Sequence, residues 1–243
     1  MIAKISVLSL ALFACAGAIA EPIKGDAELG FVNTSGNSET QTVNAKLKLT
    51  KDTENWSHQA NLAALSNSNS ESTTAEKYTA AFQSDRKLDE RSFLYGLATY
   101  EDDRFSGFKY QATVGAGYGY KVINNDERVL TLEIGPGYRV NSVDDVVDAN
   151  GFVTIPGDEE SEVTLRLGET YVWKFSETAE FNQYLTVEGG EDNTITKLGA
   201  SVKSALTGAL ALKLGVDLKM TDKVPSGRDD TDTETYAAIT YSF

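Results

Sequence analysis

The chain is poor in the residues that build most chemical sites. It has one cysteine, Cys15, one histidine, His58, and only four prolines. A single cysteine excludes a disulfide framework, and one cysteine with one histidine leaves no Cys/His zinc cluster. No Gly-x-Ser-x-Gly elbow occurs, and His58 lies two residues after Trp56 at the start of a strand-like segment. A hydrolytic site needs a histidine paired with a nucleophile. His58 is therefore read as an interfacial side chain. The expected protein is not an enzyme, and no cofactor or metal is expected.

Positive charge is also scarce. Lys and Arg number 22 against 36 Asp and Glu, a net charge of −14. That excludes nucleic acid as a partner, because phosphate backbones select basic surfaces. It also opposes tight binding to anionic head groups without bridging cations. Beyond Glu21 no run approaches the roughly 20 apolar residues that a membrane helix needs.

What the chain does have is alternation. Period-two patterning predicts twelve strands at 25–34, 39–51, 55–67, 73–86, 91–102, 108–122, 127–142, 161–175, 179–189, 194–206, 209–221 and 232–243. The segment 210–220 sets Leu210, Leu212, Leu214, Val216, Leu218 and Met220 against Ala211, Lys213, Gly215, Asp217 and Lys219. The segment 110–122 sets Tyr110, Ala112, Val114, Ala116, Tyr118, Tyr120 and Val122 against a face rich in glycine. Soluble strands average about 5–6 residues, whereas these hold phase for the 9–11 or more that a tilted membrane strand requires. Aromatics gather near strand ends, at Trp56, Tyr100, Tyr171, Trp173, Phe175, Tyr241 and Phe243, as in the girdles of membrane barrels. The expected fold is an all-β, antiparallel up-and-down transmembrane barrel of about twelve strands. A soluble sandwich is the alternative fold, and a misread segment at 73–86 or 179–189 would make the count ten or fourteen.

The two ends agree with an exported barrel. Met1–Ala20 reads as a Sec signal peptide: Lys4, an apolar run from Ile5 to Ile19, and small residues before Glu21. Residues 21–243 would then form the barrel. Leu12-Phe13-Ala14-Cys15 loosely resembles a lipoprotein box, with Phe13 a poor fit. At the other end Ile239, Tyr241 and Phe243 alternate up to the last residue. This resembles the C-terminal signal by which outer-membrane barrels are inserted. Expected partners are the insertion machinery, periplasmic chaperones, outer-membrane lipid and lipopolysaccharide, around a monomer. With both ends in the periplasm, the short connections near 52–54, 87–90, 123–126, 176–178 and 207–208 are periplasmic. The long ones, 143–160 and 222–231, then face outward, as this class shows.

Alternation also assigns an inner face. Its charged members are Glu28, Lys46, Lys48, Glu133, Arg139, Arg166, Lys197, Lys203, Lys213, Asp217 and Lys219. Mixed signs suit a hydrated passage or salt bridges filling a closed interior. Lysines outnumber acids in this set, which would favour anions. The alternative to a channel is a closed, protective barrel whose acidic outer loops meet cations or the outer leaflet. Two residues resist the scheme. Glu169 falls on the lipid face, which implies a bulge, a protonated carboxyl or a phase error. Pro136 sits inside a strand, which implies a bulge or kink.

The segment Ala27-Glu28-Leu29-Gly30, followed by Thr34-Ser35-Gly36-Asn37-Ser38, resembles the opening of a bacterial outer-membrane family of unknown function, known as salt-induced outer membrane proteins. Gly36-Asn37 suits a tight hairpin turn, since both residues tolerate positive φ. The resemblance runs more loosely to Tyr241-Ser242-Phe243. It implies the location, the fold and a link to salt or osmotic stress, and supplies no activity.

Overall fold

A computed structural model describes residues 22–34, 40–69, 73–104, 106–143, 145–147, 152–225 and 229–243. The expected signal peptide with Cys15, and the Gly36-Asn37 turn, lie outside the described residues. Twelve strands close into one barrel: β1 (Lys24–Thr34), β2 (Thr40–Asp52), β3 (Trp56–Asn69), β4 (Thr73–Lys87), β5 (Ser92–Asp103), β6 (Phe108–Asn124), β7 (Arg128–Val143), β10 (Glu159–Lys174), β11 (Ala179–Gly190), β12 (Thr194–Ala205), β13 (Leu210–Thr221) and β14 (Thr231–Ser242). The connection between β7 and β10 carries a small hairpin of its own, β8 (Val146–Val147) and β9 (Val153–Ile155). Each barrel strand pairs antiparallel with its neighbours in the chain. β1 closes the ring on β14 through Asp26↔Ser242 to Gly30↔Ala238, and Gly25 and Phe243 add two backbone bonds of 2.8 and 2.9 Å. The expected strands and the expected count of twelve are all present.

One end of the barrel is built from a repeated turn. The first residue of each turn is Thr53, Asp89, Asn125, Ser176 or Thr207. In every case its N–H donates to the carbonyl three residues on, at 2.8 to 3.3 Å. Its side-chain oxygen accepts an N–H within the same turn, from Trp56 (3.1 Å), Ser92 (2.7 Å), Arg128 (2.7 Å), Thr178 (3.3 Å) and Leu210 (3.1 Å). Short polar side chains do this because they reach their own backbone two or three residues ahead. Asp89 also accepts the Arg91 N–H at 2.7 Å, and these backbone donors hold its carboxyl below the ordinary range. The opposite, loop end carries the long connections.

The outer face is apolar and exposed, with Leu29, Phe31, Leu62, Phe82, Val114, Ile134, Leu165, Leu214 and Ile239 among its members. Both tryptophans stand at the turn end, each directly opposite an arginine. Trp56 pairs with Arg86 and Trp173 with Arg128, the guanidinium carbons 5.7 and 5.2 Å from the ring centroids. Tryptophan with a cation beside it is suited to a membrane–water boundary.

The two resisting residues have separate explanations. β10 runs in unbroken register with β7 and β11 past Glu169, so neither a bulge nor a phase error is present. Glu169 is on the outer face, and the Gln183 amide donates to its carboxylate at 2.7 Å. Pro136 makes no bulge. β6 and β7 keep one register on both sides of it, Gly115↔Gly137 and Tyr118↔Ile134, and the bulges fall at Phe108/Tyr110 and Lys121/Ile123 instead. Between those pairs the ladder is interrupted, as a residue without an N–H requires. The two backbones crowd there, and a Cβ on Gly135 would sit 2.1 Å from the Ala116 carbonyl oxygen.

Candidate functional site: a lumen crossed by ion pairs

The inner face supplies the chemistry. Its glycines do not simply leave a wet lumen, because register sets them under aromatic rings of the next strand. Phe93 lies opposite Gly119, Tyr95 opposite Gly117, Tyr184 opposite Gly199 and Tyr236 opposite Gly215. A Cβ at any of these glycines would meet the facing side chain at 2.1 to 2.7 Å. Phe93, Tyr95 and Leu97 of β5 form an apolar cluster inside the barrel, with the Arg166 guanidinium 5.8 Å from the Tyr95 ring.

Among the described residues, Glu28, Lys46, Glu133, Arg139, Arg166, Lys197, Lys203, Lys213, Asp217 and Lys219 each meet a partner of opposite charge, and Lys48 forms no ion pair. Lys213 bonds Glu28 (2.8 Å), Lys46 bonds Asp217 (3.1 Å), Arg166 bonds Glu133 (2.7 Å) and Arg139 bonds Glu162 (2.5 Å). Lys203 lies 3.7 Å from Asp26. Tyr184 donates to Asp217 at 3.2 Å, and the Lys46 ammonium stands 4.2 Å from the Tyr236 ring centroid. Asn44 donates to Glu234. Because β2 and β13, like β1 and β12, are not neighbours in the sheet, these pairs reach through the interior.

The decisive contact is at Glu101. β5 and β13 lie six strands apart in either direction round the ring, hence on opposite walls. Lys219 of β13 nevertheless reaches Glu101 of β5, at 2.5 Å. Lys197 of β12 joins it at 2.9 Å and Lys77 of β4 at 3.8 Å, while the Gln111 side-chain oxygen accepts a second Lys219 bond at 2.7 Å. Three ammonium groups converge on one carboxylate and bridge the lumen in its loop half. Beside them Arg139 is 1 % exposed, with its guanidinium donating to the carbonyls of Asn193 (2.5 Å) and Glu188 (3.3 Å) as well as to Glu162. At the turn end a side cavity of about 440 Å³ lies against one wall, that of β1, β2 and β14, among Lys24, Gly25, Asp26, Lys48, Thr50, Ser242 and Phe243.

Patterning did not single out Asp26, Lys77, Glu101, Glu162, Glu188 or Glu234. The acids among them offset the apparent surplus of lysine. Parity along each strand would have found Glu101 and Glu162. Their convergence with residues up to 118 positions away is invisible in one sequence. His58 stands on the outer face at the turn end. Ser84 Oγ lies 2.9 Å from its Nδ1, and Trp56 and Phe82 stack on either side at 5.9 and 6.3 Å.

The family model of DUF481, described as a protein of unknown function, matches residues 27–243. The chain belongs to the DUF481 family. The uncharacterized protein YdiY of Escherichia coli K12 is 28% identical to this DUF481 barrel over 225 residues, which cover 91% of this chain and 84% of YdiY. Among solved structures, the translocator domain of the autotransporter NalP from Neisseria meningitidis superposes with a TM-score of 0.51 at 14% identity, over 93% of this chain and 89% of that one. The NanC porin gives a TM-score of 0.46 at 12% identity, over 91% and 98%. The closed ring of twelve antiparallel strands and the likeness to the NalP translocator give the DUF481 chain the fold of an outer-membrane β-barrel.

Proposed function

We propose that this DUF481 barrel resides in the outer membrane with its short turns in the periplasm, and that it forms a narrow hydrophilic passage constricted by Glu101 and its three lysines. The role is non-enzymatic. The observation that carries this reading is the Lys219–Glu101 contact, which puts fixed charges of opposite walls at one level of the lumen. Fixed charges lining a constriction of this kind set which ions cross. Glu101 and Lys219 are 6 and 7 % exposed, so salt screens their pair far less than it would an exposed one.

A closed protective barrel is the second reading, favoured by the near-complete burial of Arg139. Recording from the refolded chain in a planar lipid bilayer separates the two. The expected result is small, reproducible conductance steps. A silent membrane, with insertion shown by heat-modifiable gel mobility, would favour the closed barrel.

A further inference from the structure

The outer face of β2, β3 and β4 at the turn end carries polar and apolar rungs in a definite order. Register puts Leu49, Ala60 and Phe82 in one row, Lys51, His58 and Ser84 in the next towards the turns, and Trp56 beside Arg86 in the last. A hollow of about 110 Å³ lies over the first two rows, lined by Ile23, Leu49, Lys51, His58, Ala60 and Phe82. His58 is fixed in orientation, because Ser84 takes its Nδ1 and two aromatic rings clamp the imidazole. Among the described residues neither Lys51 nor Arg86 forms an ion pair, whereas the lumen bases are almost all paired. Among the described residues Arg86 meets the Trp56 ring alone. Two uncompensated cations and a clamped imidazole therefore stand just outside an apolar hollow, at the level of the tryptophan girdle. That order, apolar then cationic, matches a lipid whose acyl chain lies in the membrane and whose phosphate lies at its surface.

We infer that this surface is a binding site for an anionic glycerophospholipid. Lys51, His58 and Arg86 take the headgroup phosphate, and the acyl chain covers Leu49, Ala60 and Phe82. Basic residues at a membrane surface attract anionic lipid, and the barrel's overall negative charge makes a local cationic patch selective rather than general. The inference rests on the barrel being inserted in a bilayer, and is independent of whether its lumen conducts.

Trp56 reports on the site directly. In a Trp173→Phe background, reconstituted into phosphatidylcholine bilayers, a small fraction of brominated phosphatidylglycerol is expected to quench Trp56 far better than the same fraction of brominated phosphatidylcholine, as about tenfold local enrichment would produce. Lys51→Ala with Arg86→Ala should remove the difference. Arg128→Ala, on the far side of the girdle, should leave it intact. Heat-modifiable mobility confirms insertion of each variant. Equal quenching by the two lipids in the parent protein, or a preference that survives the double substitution, would overturn the proposal.

Discussion

Arg139→Ala is expected to destabilise the folded barrel by about 3–5 kcal/mol. Arg139 is 1 % exposed, and one guanidinium holds the Glu162 carboxylate and the carbonyls of Glu188 and Asn193. Truncation strips Glu162 of its counter-charge inside the wall and releases the loop at Asn193. That loop is further tied to Lys223 by two bonds, of 2.7 and 3.1 Å, so the disturbance would reach the β13–β14 connection. Breaking a buried pair costs more than the pair contributes, because the remaining charge stays buried. Arg139→Met combined with Glu162→Leu should therefore recover most of the loss. Urea unfolding in micelles, followed by gel mobility, checks both. A cost below about 1 kcal/mol for Arg139→Ala would mean that the loop half is more hydrated than its burial indicates.

Gly135→Val is expected to reduce the yield of folded barrel severely. The new Cβ would lie 2.1 Å from the Ala116 carbonyl oxygen and 2.6 Å from the Gly117 Cα. Both are backbone atoms of the neighbouring strand, so no rotamer change relieves the clash. Overpacking ordinarily costs about 1–3 kcal/mol. Here relief requires β6 and β7 to separate where Pro136 already interrupts their ladder. Gly96 is the control, since nothing lies within 4 Å of a Cβ there. Gly96→Ala should fold at the parent's yield, measured as the heat-modifiable fraction after refolding. Normal folding of Gly135→Val would show that the two strands are not pressed together.

The barrel was legible in the sequence because a closed sheet with an apolar outer face and a largely polar interior favours a period of two. The segment 210–220 alternates without error and forms β13. Even β4 and β11, the weakest patterns, fall where expected. Alternation is local, however, and the site is not. Nothing near Glu101 in the chain announces Lys197 or Lys219. Apolar residues inside the barrel were hidden for the opposite reason. Phe93, Tyr95 and Leu97 share β5 with Leu94 and Ala98 on its outer face, so both faces of that strand are apolar. The glycines of β6 read as a wet wall until their register with Phe93 and Tyr95 is known. Pro136 and Glu169 both signalled irregularity. The first is an interrupted ladder without a shift of register, and the second a carboxylate with an amide partner across the strands.

The most direct test of the constriction is the reversal potential and step size of the parent and Glu101→Gln, recorded in planar bilayers under a potassium chloride gradient. The substitution keeps the side chain's shape and leaves the Lys77, Lys197 and Lys219 ammonium groups facing one another across the lumen. The account predicts larger steps and a shift of selectivity towards chloride. Unchanged steps with an unchanged reversal potential would contradict it, and would place the limiting point of any passage away from Glu101.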